Sequence, residues 1–162
     1  MEQLLTAAAR VGALLKARNE TVAVGESSTG GLISAALLAV PGASAFYIGG
    51  GVLYTARARH RLFGLGREDV EGMRSASEPY AMLLARTAEA RMETTWGVAE
   101  TGAAGPSGNP YGDAAGHTCL AVSGPRALIR TMETGSTDRW RNMLVFAEGA
   151  LALLEEALAA EA

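Results

Sequence analysis

Thr21-Val22-Ala23-Val24-Gly25-Glu26-Ser27-Ser28-Thr29-Gly30-Gly31-Leu32 is the stretch from which the fold is read. Small and β-branched apolar residues form a short strand, a polar glycine-bearing turn follows, and Leu32 to Val40 keeps helical spacing until Pro41 stops it. Strand, tight turn and helix make a βα unit. Upstream, Leu4, Leu5, Ala8, Val11, Leu14 and Leu15 recur every three or four residues, which predicts an amphipathic helix over 2–18 ended at Arg18-Asn19. Downstream, residues 45–55 read as a strand interrupted by three glycines, and 56–63 as a short helix. Ser77 caps the next helix, with Pro79 in its first turn and Tyr80, Leu83, Leu84 and Thr87 facing inward. A strand over 96–100 leads into the glycine-rich segment 101–116, a length that favours a functional loop. Strands over 117–122 and 127–132 meet at Gly124-Pro125, and the last helix starts at Thr137 or Asp138. Helices alternating with apolar strands predict an α/β fold, a three-layer α/β/α sandwich with a largely parallel mixed sheet, built as a single domain over 1–162.

Composition narrows the function. Hydrophobic residues at 49% against 19% charged exclude a disordered chain. A chain of 162 residues buries roughly 68–70% of its unfolded surface without covalent help. Cys119 stands alone, which excludes an internal disulfide and a cysteine zinc site, and two histidines make no metal centre. Neither a metal nor another cofactor is therefore expected. Net charge is −3 and no block of basic residues appears, so no nucleic-acid partner is expected. Residues 27–56 carry no charge, yet Pro41-Gly42 and Gly49-Gly50-Gly51 break any membrane helix there. Glu2 at the start and Arg10 within the apolar run do not fit a signal peptide, so a cytoplasmic location is expected.

Three stretches offer chemistry. The turn at 25–31 would present N–H groups and a positive helix end to phosphate or carboxylate. Gly25 and Gly30 have P-loop spacing, but Gly31-Leu32 stands where Lys and Ser/Thr are required, which rejects an ordinary nucleotide triphosphatase. Thr29 likewise spoils a Gly-x-Ser-x-Gly elbow. On spacing alone the better reading is that Ser27, Ser28 and Thr29 simply cap the helix. Tyr54 with Arg57, Arg59 and Arg61 offers a phenol and cations to an anionic ligand, or else an ordinary solvated arginine face. Glu100, Asn109, Tyr111, Asp113 and His117 put acid, amide, phenol and imidazole groups in one segment; Asx-turns would account for a purely structural loop, but glycines that keep the backbone accessible beside these side chains favour a functional one. Glu26 and Glu100 both end apolar strands, and in a parallel sheet could form a carboxylate pair.

Taken together these blocks resemble the CinA C-terminal domain family, whose characterised members are nicotinamide-nucleotide amidases. Glu26-Ser27-Ser28-Thr29-Gly30-Gly31 is similar to the family's Glu-Ser-Cys-Thr-Gly-Gly, with Ser28 for the cysteine. Val40-Pro41-Gly42-Ala43-Ser44-Ala45 with Gly50-Gly51-Val52-Leu53-Tyr54, then Ser77-Glu78-Pro79, then Thr101-Gly102-Ala103-Ala104-Gly105-Pro106 match further blocks in order. The resemblance implies the same α/β/α fold, a small nucleotide as ligand, Ser27 as nucleophile and Tyr54 beside it. It implies substrate contacts from Ser28, Thr29, Gly30, Gly31, Gly51, Thr101, Gly102, Ala103, Ala104 and Gly105, and a homo-oligomer as a possible state. Asn109 and Asp113 join that set from the loop, and Arg139 stands in for an arginine that the family carries where this chain has Thr137.

One departure is chemical. The family's lysine base, five positions after the tyrosine, is Arg59 here, and Lys16 on the first helix is the chain's only lysine. Arginine keeps its proton and cannot serve as that base. An amidase built this way would draw its base from His117, Glu26 or Glu100, with Arg59 still in the catalytic set. The alternative is a non-catalytic, re-tasked nucleotide-binding protein, in which Arg59 strengthens anion binding.

Overall fold

A computed structural model describes residues 1–160. Its elements are α1 (Glu2–Arg18), β1 (Val22–Glu26), α2 (Leu32–Leu38), β2 (Tyr47–Val52), α3 (Ala56–Phe63), α4 (Glu78–Met92), β3 (Trp96–Ala103), β4 (His117–Ser123), β5 (Leu128–Glu133) and α5 (Arg139–Ala160), with 3-10 turns at Ala43–Ala45 and Arg67–Val70. The five strands form one sheet in the order β2-β1-β3-β4-β5. It is mixed: β1 runs parallel to β2 and to β3, whereas β3, β4 and β5 form an antiparallel meander. The parallel part thus ends at β3, because the 104–116 segment supplies no helix for a crossover back to a parallel strand.

Alternation along the strands sorts the two faces by size. Val22, Val24, Trp96, Val98, Leu120 and Val122 face α1, α2 and α5, where they pack with Leu4, Val11, Leu15, Ile33, Phe46, Leu151 and Leu154. The opposite face offers Ala23, Ala99, Cys119 and Ala121 to α3 and α4, with Leu53, Phe63 and Leu84 completing that core. Small residues let α4 come close. A Cβ on Gly97 would lie 2.1 Å from the Ala85 carbonyl oxygen of α4. No helix of the described residues is long and apolar enough to cross a membrane.

Boundaries differ from the sequence reading where tertiary pairing decides them. Residues 43–46 turn instead of extending, so β2 begins at Tyr47. β3 runs on through Thr101-Gly102-Ala103, because those residues pair with Cys119, Thr118 and His117. Ser77 does cap α4, accepting from the Tyr80 N–H at 3.4 Å.

Candidate functional site

β1 and β3 lie parallel with Gly25 opposite Ala99, so Glu26 and Glu100 emerge side by side on the α2 face of the sheet. Both are fully buried. Glu26 reaches into the start of α2. Its Oε1 accepts from the Thr29 hydroxyl (2.7 Å), Gly31 N–H (3.1 Å) and Ile33 N–H (3.0 Å), and its Oε2 from Ser34 N–H (2.8 Å). Glu100 holds the preceding turn: its Oε2 accepts from the Ser27 and Thr29 N–H groups (3.1 and 3.0 Å), and its Oε1 meets the Ser28 hydroxyl. Gly30 and Gly31, at φ +63° and +101°, give the turn the left-handed backbone that wraps it around both carboxylates.

The Thr29 hydroxyl lies 2.7 Å from Glu26 and 3.0 Å from Glu100, and its one hydrogen cannot serve two ionised carboxylates. A proton on Glu100 resolves the conflict. Burial pushes the Glu100 carboxyl above the usual carboxylate range, against the pull of its bonds to Ser28, Thr29 and Ser27.

This arrangement corrects two expectations. The amides entering α2 are not bare: Gly30 donates to Ser27 and Leu32 to Thr29, while Gly31, Ile33 and Ser34 are taken by Glu26. The chain's own carboxylates fill the place in which a ligand's phosphate or carboxylate was expected. The Ser28 N–H is the exception in this turn, with no acceptor among the described residues. Nor do the hydroxyls cap the helix, whose N-cap is Gly31 without a side-chain bond. Both Glu26 oxygens bond the turn and the start of α2, which makes this buried carboxylate a structural anion and corrects its place among the bases.

Beside the turn lies a cavity of about 310 Å³ whose lining includes Ser27, Tyr54, Arg59, Tyr80, Thr101, Gly102 and Tyr111. The structure therefore brings Ser27, Tyr54, Arg59, Thr101 and Gly102 together. The Ser27 hydroxyl has no partner among the described residues. Arg59 is 9% exposed; its Nε donates to the Leu65 carbonyl at 3.2 Å, and its two Nη groups have no acceptor among the described residues. A buried cation without a counter-ion, at the wall of a cavity, suits an anionic ligand. The Tyr54 hydroxyl accepts from Arg139 at 3.1 Å, and Arg139 also donates to the Gly105 carbonyl. Arg139 thus ties Tyr54 to the loop.

The remaining expected residues lie elsewhere. Ser28, Thr29, Gly30 and Gly31 form the turn behind Ser27, and Gly51 packs toward Phe63 and Leu62. The carbonyls of Ala103 and Ala104 accept from Gly116 N–H and the Asn142 amide. Asn109 and Asp113 pin the loop in the Asx manner: Asn109 Oδ1 accepts from Tyr111 and Asp113 N–H groups, and Asp113 receives both Arg74 Nη1 and Nη2. Arg74 also lies 5.5 Å above the Tyr111 ring, which sets that ring against the cavity. No group of three or more His, Cys, Asp and Glu side chains among the described residues could hold a metal.

His117 is corrected as a base. Its Nδ1 lies 2.5 Å from Glu133 Oε1 and its Nε2 2.7 Å from the Ala76 carbonyl, with Asp113 3.6 Å away. Both ring nitrogens face acceptors, so both carry hydrogens and no lone pair is left. Burial lowers its pKa, but the Glu133 bond, the Ala76 carbonyl and the two carboxylate charges outweigh that and raise it above the ordinary value. Sequence reasoning missed Tyr80, which reads only as an inward residue of a helix face. The signal was its place directly after the Ser77-Glu78-Pro79 block.

Residues 4–158 match the CinA C-terminal domain family. A CinA-like protein of Anaeromyxobacter sp. (strain K) is 42% identical over 148 residues, covering 91% of this chain and 36% of that protein. A CinA-like protein of Desulforapulum autotrophicum is 34% identical over 94% of this chain, again 36% of its own length. The chain thus spans about a third of the curated relatives it matches. Among solved structures, a competence/damage inducible protein from Agrobacterium tumefaciens superposes with TM-score 0.88 at 31% identity, covering 97% of this chain and 96% of its own. A competence-damaged protein (CinA) superfamily protein from Klebsiella pneumoniae gives TM-score 0.90 at 26% identity, covering 97% and 98%.

Proposed function

The chain belongs to the CinA C-terminal domain family, and on that premise we propose that it hydrolyses the carboxamide of nicotinamide mononucleotide (NMN), or of a related pyridine nucleotide, through Ser27. The observation that carries this reading is a serine hydroxyl without a partner in one cavity with an arginine without a counter-ion. Arg59 suits the phosphate of such a ligand, and the tyrosine rings suit its planar base. Ser27 Oγ adds to the carboxamide carbon, and the carbonyl π pair moves onto oxygen. The Ser28 N–H is the turn's free donor for that charge. Collapse of the adduct breaks the C–N bond as the proton taken from Ser27 passes to the nitrogen, so that ammonia leaves, and water then hydrolyses the remaining acyl ester to the carboxylate and returns the proton to Ser27.

Ser27 needs a base, and Arg59 cannot be one. With Glu26 committed to α2 and His117 protonated, Glu100 is the carboxylate bonded to Ser27, through the backbone N–H at 3.1 Å, and it takes the serine proton only in its ionised form, after losing the proton that it holds beside the Thr29 hydroxyl. Burial raises its pKa above the usual carboxylate range, which makes the ionised form a stronger base than an exposed carboxylate. A second reading, nucleotide binding without turnover, is favoured by one observation: no basic group among the described residues touches the Ser27 hydroxyl.

Ammonia release from NMN by the purified chain, with Ser27→Ala and Glu100→Gln beside it, separates the two. Turnover is expected, lost by a factor of about 10³ or more in Ser27→Ala and about 10² in Glu100→Gln. Undiminished turnover in Ser27→Ala removes the serine chemistry. NMN bound by the wild type without ammonia release selects the second reading.

A further inference from the structure

We propose that Tyr80 is a ligand-binding residue of this cavity, its phenol O–H donating a hydrogen bond to the carbonyl of the carboxamide head group. The proposal rests on the function given above and deepens it. Tyr80 stands in the first turn of α4, 5% exposed, with its ring packed into the core formed by Leu53, Phe63 and Leu84. Its hydroxyl has no partner among the described residues. That oxygen is not sealed in, since no fully buried side-chain oxygen or nitrogen of the described residues lacks a partner. Tyr80 lines the cavity that holds Ser27 and Arg59, and we place its accessible hydroxyl there.

Core packing accounts for the ring and not for the hydroxyl. Phenylalanine would fill the same space with no polar atom to strip of water. Two other polar groups of this wall are engaged: Thr101 Oγ1 accepts from Ala76 N–H at 3.0 Å, and the Tyr54 hydroxyl accepts from Arg139 at 3.1 Å. Among buried and half-buried side chains of the lining, that leaves Ser27 Oγ, the Arg59 Nη groups and Tyr80 OH without partners. A nucleophile, a cation and a neutral donor are a complementary set for one ligand: a carbonyl carbon to attack, an anion to hold and a carbonyl oxygen to fix. The donor acts by orienting the carboxamide, and its proton stays on the phenol.

The test is Tyr80→Phe in the full chain, with calorimetric titration of NMN and of nicotinic acid mononucleotide, ammonia release, and unliganded Tm. Tm is expected to hold or rise, while NMN affinity, and kcat/KM where the wild type turns over, fall at least ten-fold. Affinity and kcat/KM within three-fold of wild type overturn the role of Tyr80 and leave the amidase reading standing. A lower Tm with unchanged affinity makes the hydroxyl structural and overturns it too. A wild type that binds NMN and releases no ammonia, with binding weakened ten-fold by Tyr80→Phe, keeps Tyr80 and removes the amidase reading. Binding of neither nucleotide by the wild type overturns both.

Discussion

Glu26 does for α2 what a bound anion does for the helices that open nucleotide sites: it receives the N–H groups of Gly31, Ile33 and Ser34 at the positive end of the helix. Hydrogen bonds to a charged group contribute about 1.5–3 kcal/mol each, and a buried donor left unmet costs a similar amount. Glu26→Gln is nearly isosteric but turns an NH₂ donor against at least one of those N–H groups. We expect it to lower unfolding free energy by about 3 kcal/mol in urea titration; a loss below about 1 kcal/mol would mean that the amides find other acceptors. The sequence marks Glu26 as a polar residue at a strand end, which invites a catalytic reading. What occupies it is backbone, and backbone N–H groups have no signature in residue identity. Glu100 was legible as its neighbour, because two acids ending two apolar strands of one sheet are placed together by parallel pairing. The protonation conflict at Thr29 was not legible, since it depends on one hydroxyl reaching both.

The position of α4 is fixed by what the strands lack. Gly97 and Ala99 on β3, with Ala121 on β4, leave a shallow face, and the Ala85 carbonyl comes within 2.1 Å of where a Gly97 Cβ would stand. The obstacle is backbone, so a side chain there displaces the whole helix, and with it Tyr80 at its first turn. Gly97→Ala should cost about 3 kcal/mol, the upper end of overpacking, seen as a Tm lower by roughly 6–12 °C. A Tm within about 2 °C of wild type would show that α4 shifts freely. Elements of this kind were well marked in the sequence. The leucine spacing of α1, the Ser77 cap of α4 and the apolar run of β4 all appear where periodicity places them. The exceptions have one cause. Thr101-Gly102-Ala103 has loop composition and is strand only because β4 pairs with it, and the tyrosine at position 80 shows helix spacing but not which cavity it lines.

The strand order puts β1 at the centre of the parallel part, with the chain passing from β1 to β2 on one side and then across to β3 on the other. The crevice at the carboxyl ends of such strands is where α/β sheets take ligands, and Ser27, Tyr54, Thr101 and Gly102 all lie there or just beyond. The antiparallel half braces that crevice through His117, which joins the start of β4 to Glu133 at the end of β5 and to Ala76 before α4. The brace depends on charge. Its folded pKa lies above the ordinary value of about 6.5, so the stability it adds is complete below that pH and is lost as pH rises through the folded value. Asp113, held below its ordinary range first by its bond to Arg74, titrates at the acid end and does not enter this window. Burial pushes the Cys119 thiol up, beyond the window on the alkaline side. Glu100 is common to wild type and variant and cancels in their difference. The stability gap between wild type and His117→Ala, from urea titrations between about pH 5.5 and 8.5, should therefore be widest at the acid end and narrow as the imidazolium loses its proton. A gap constant across that range would mean that the ring acts through packing and not through its charge.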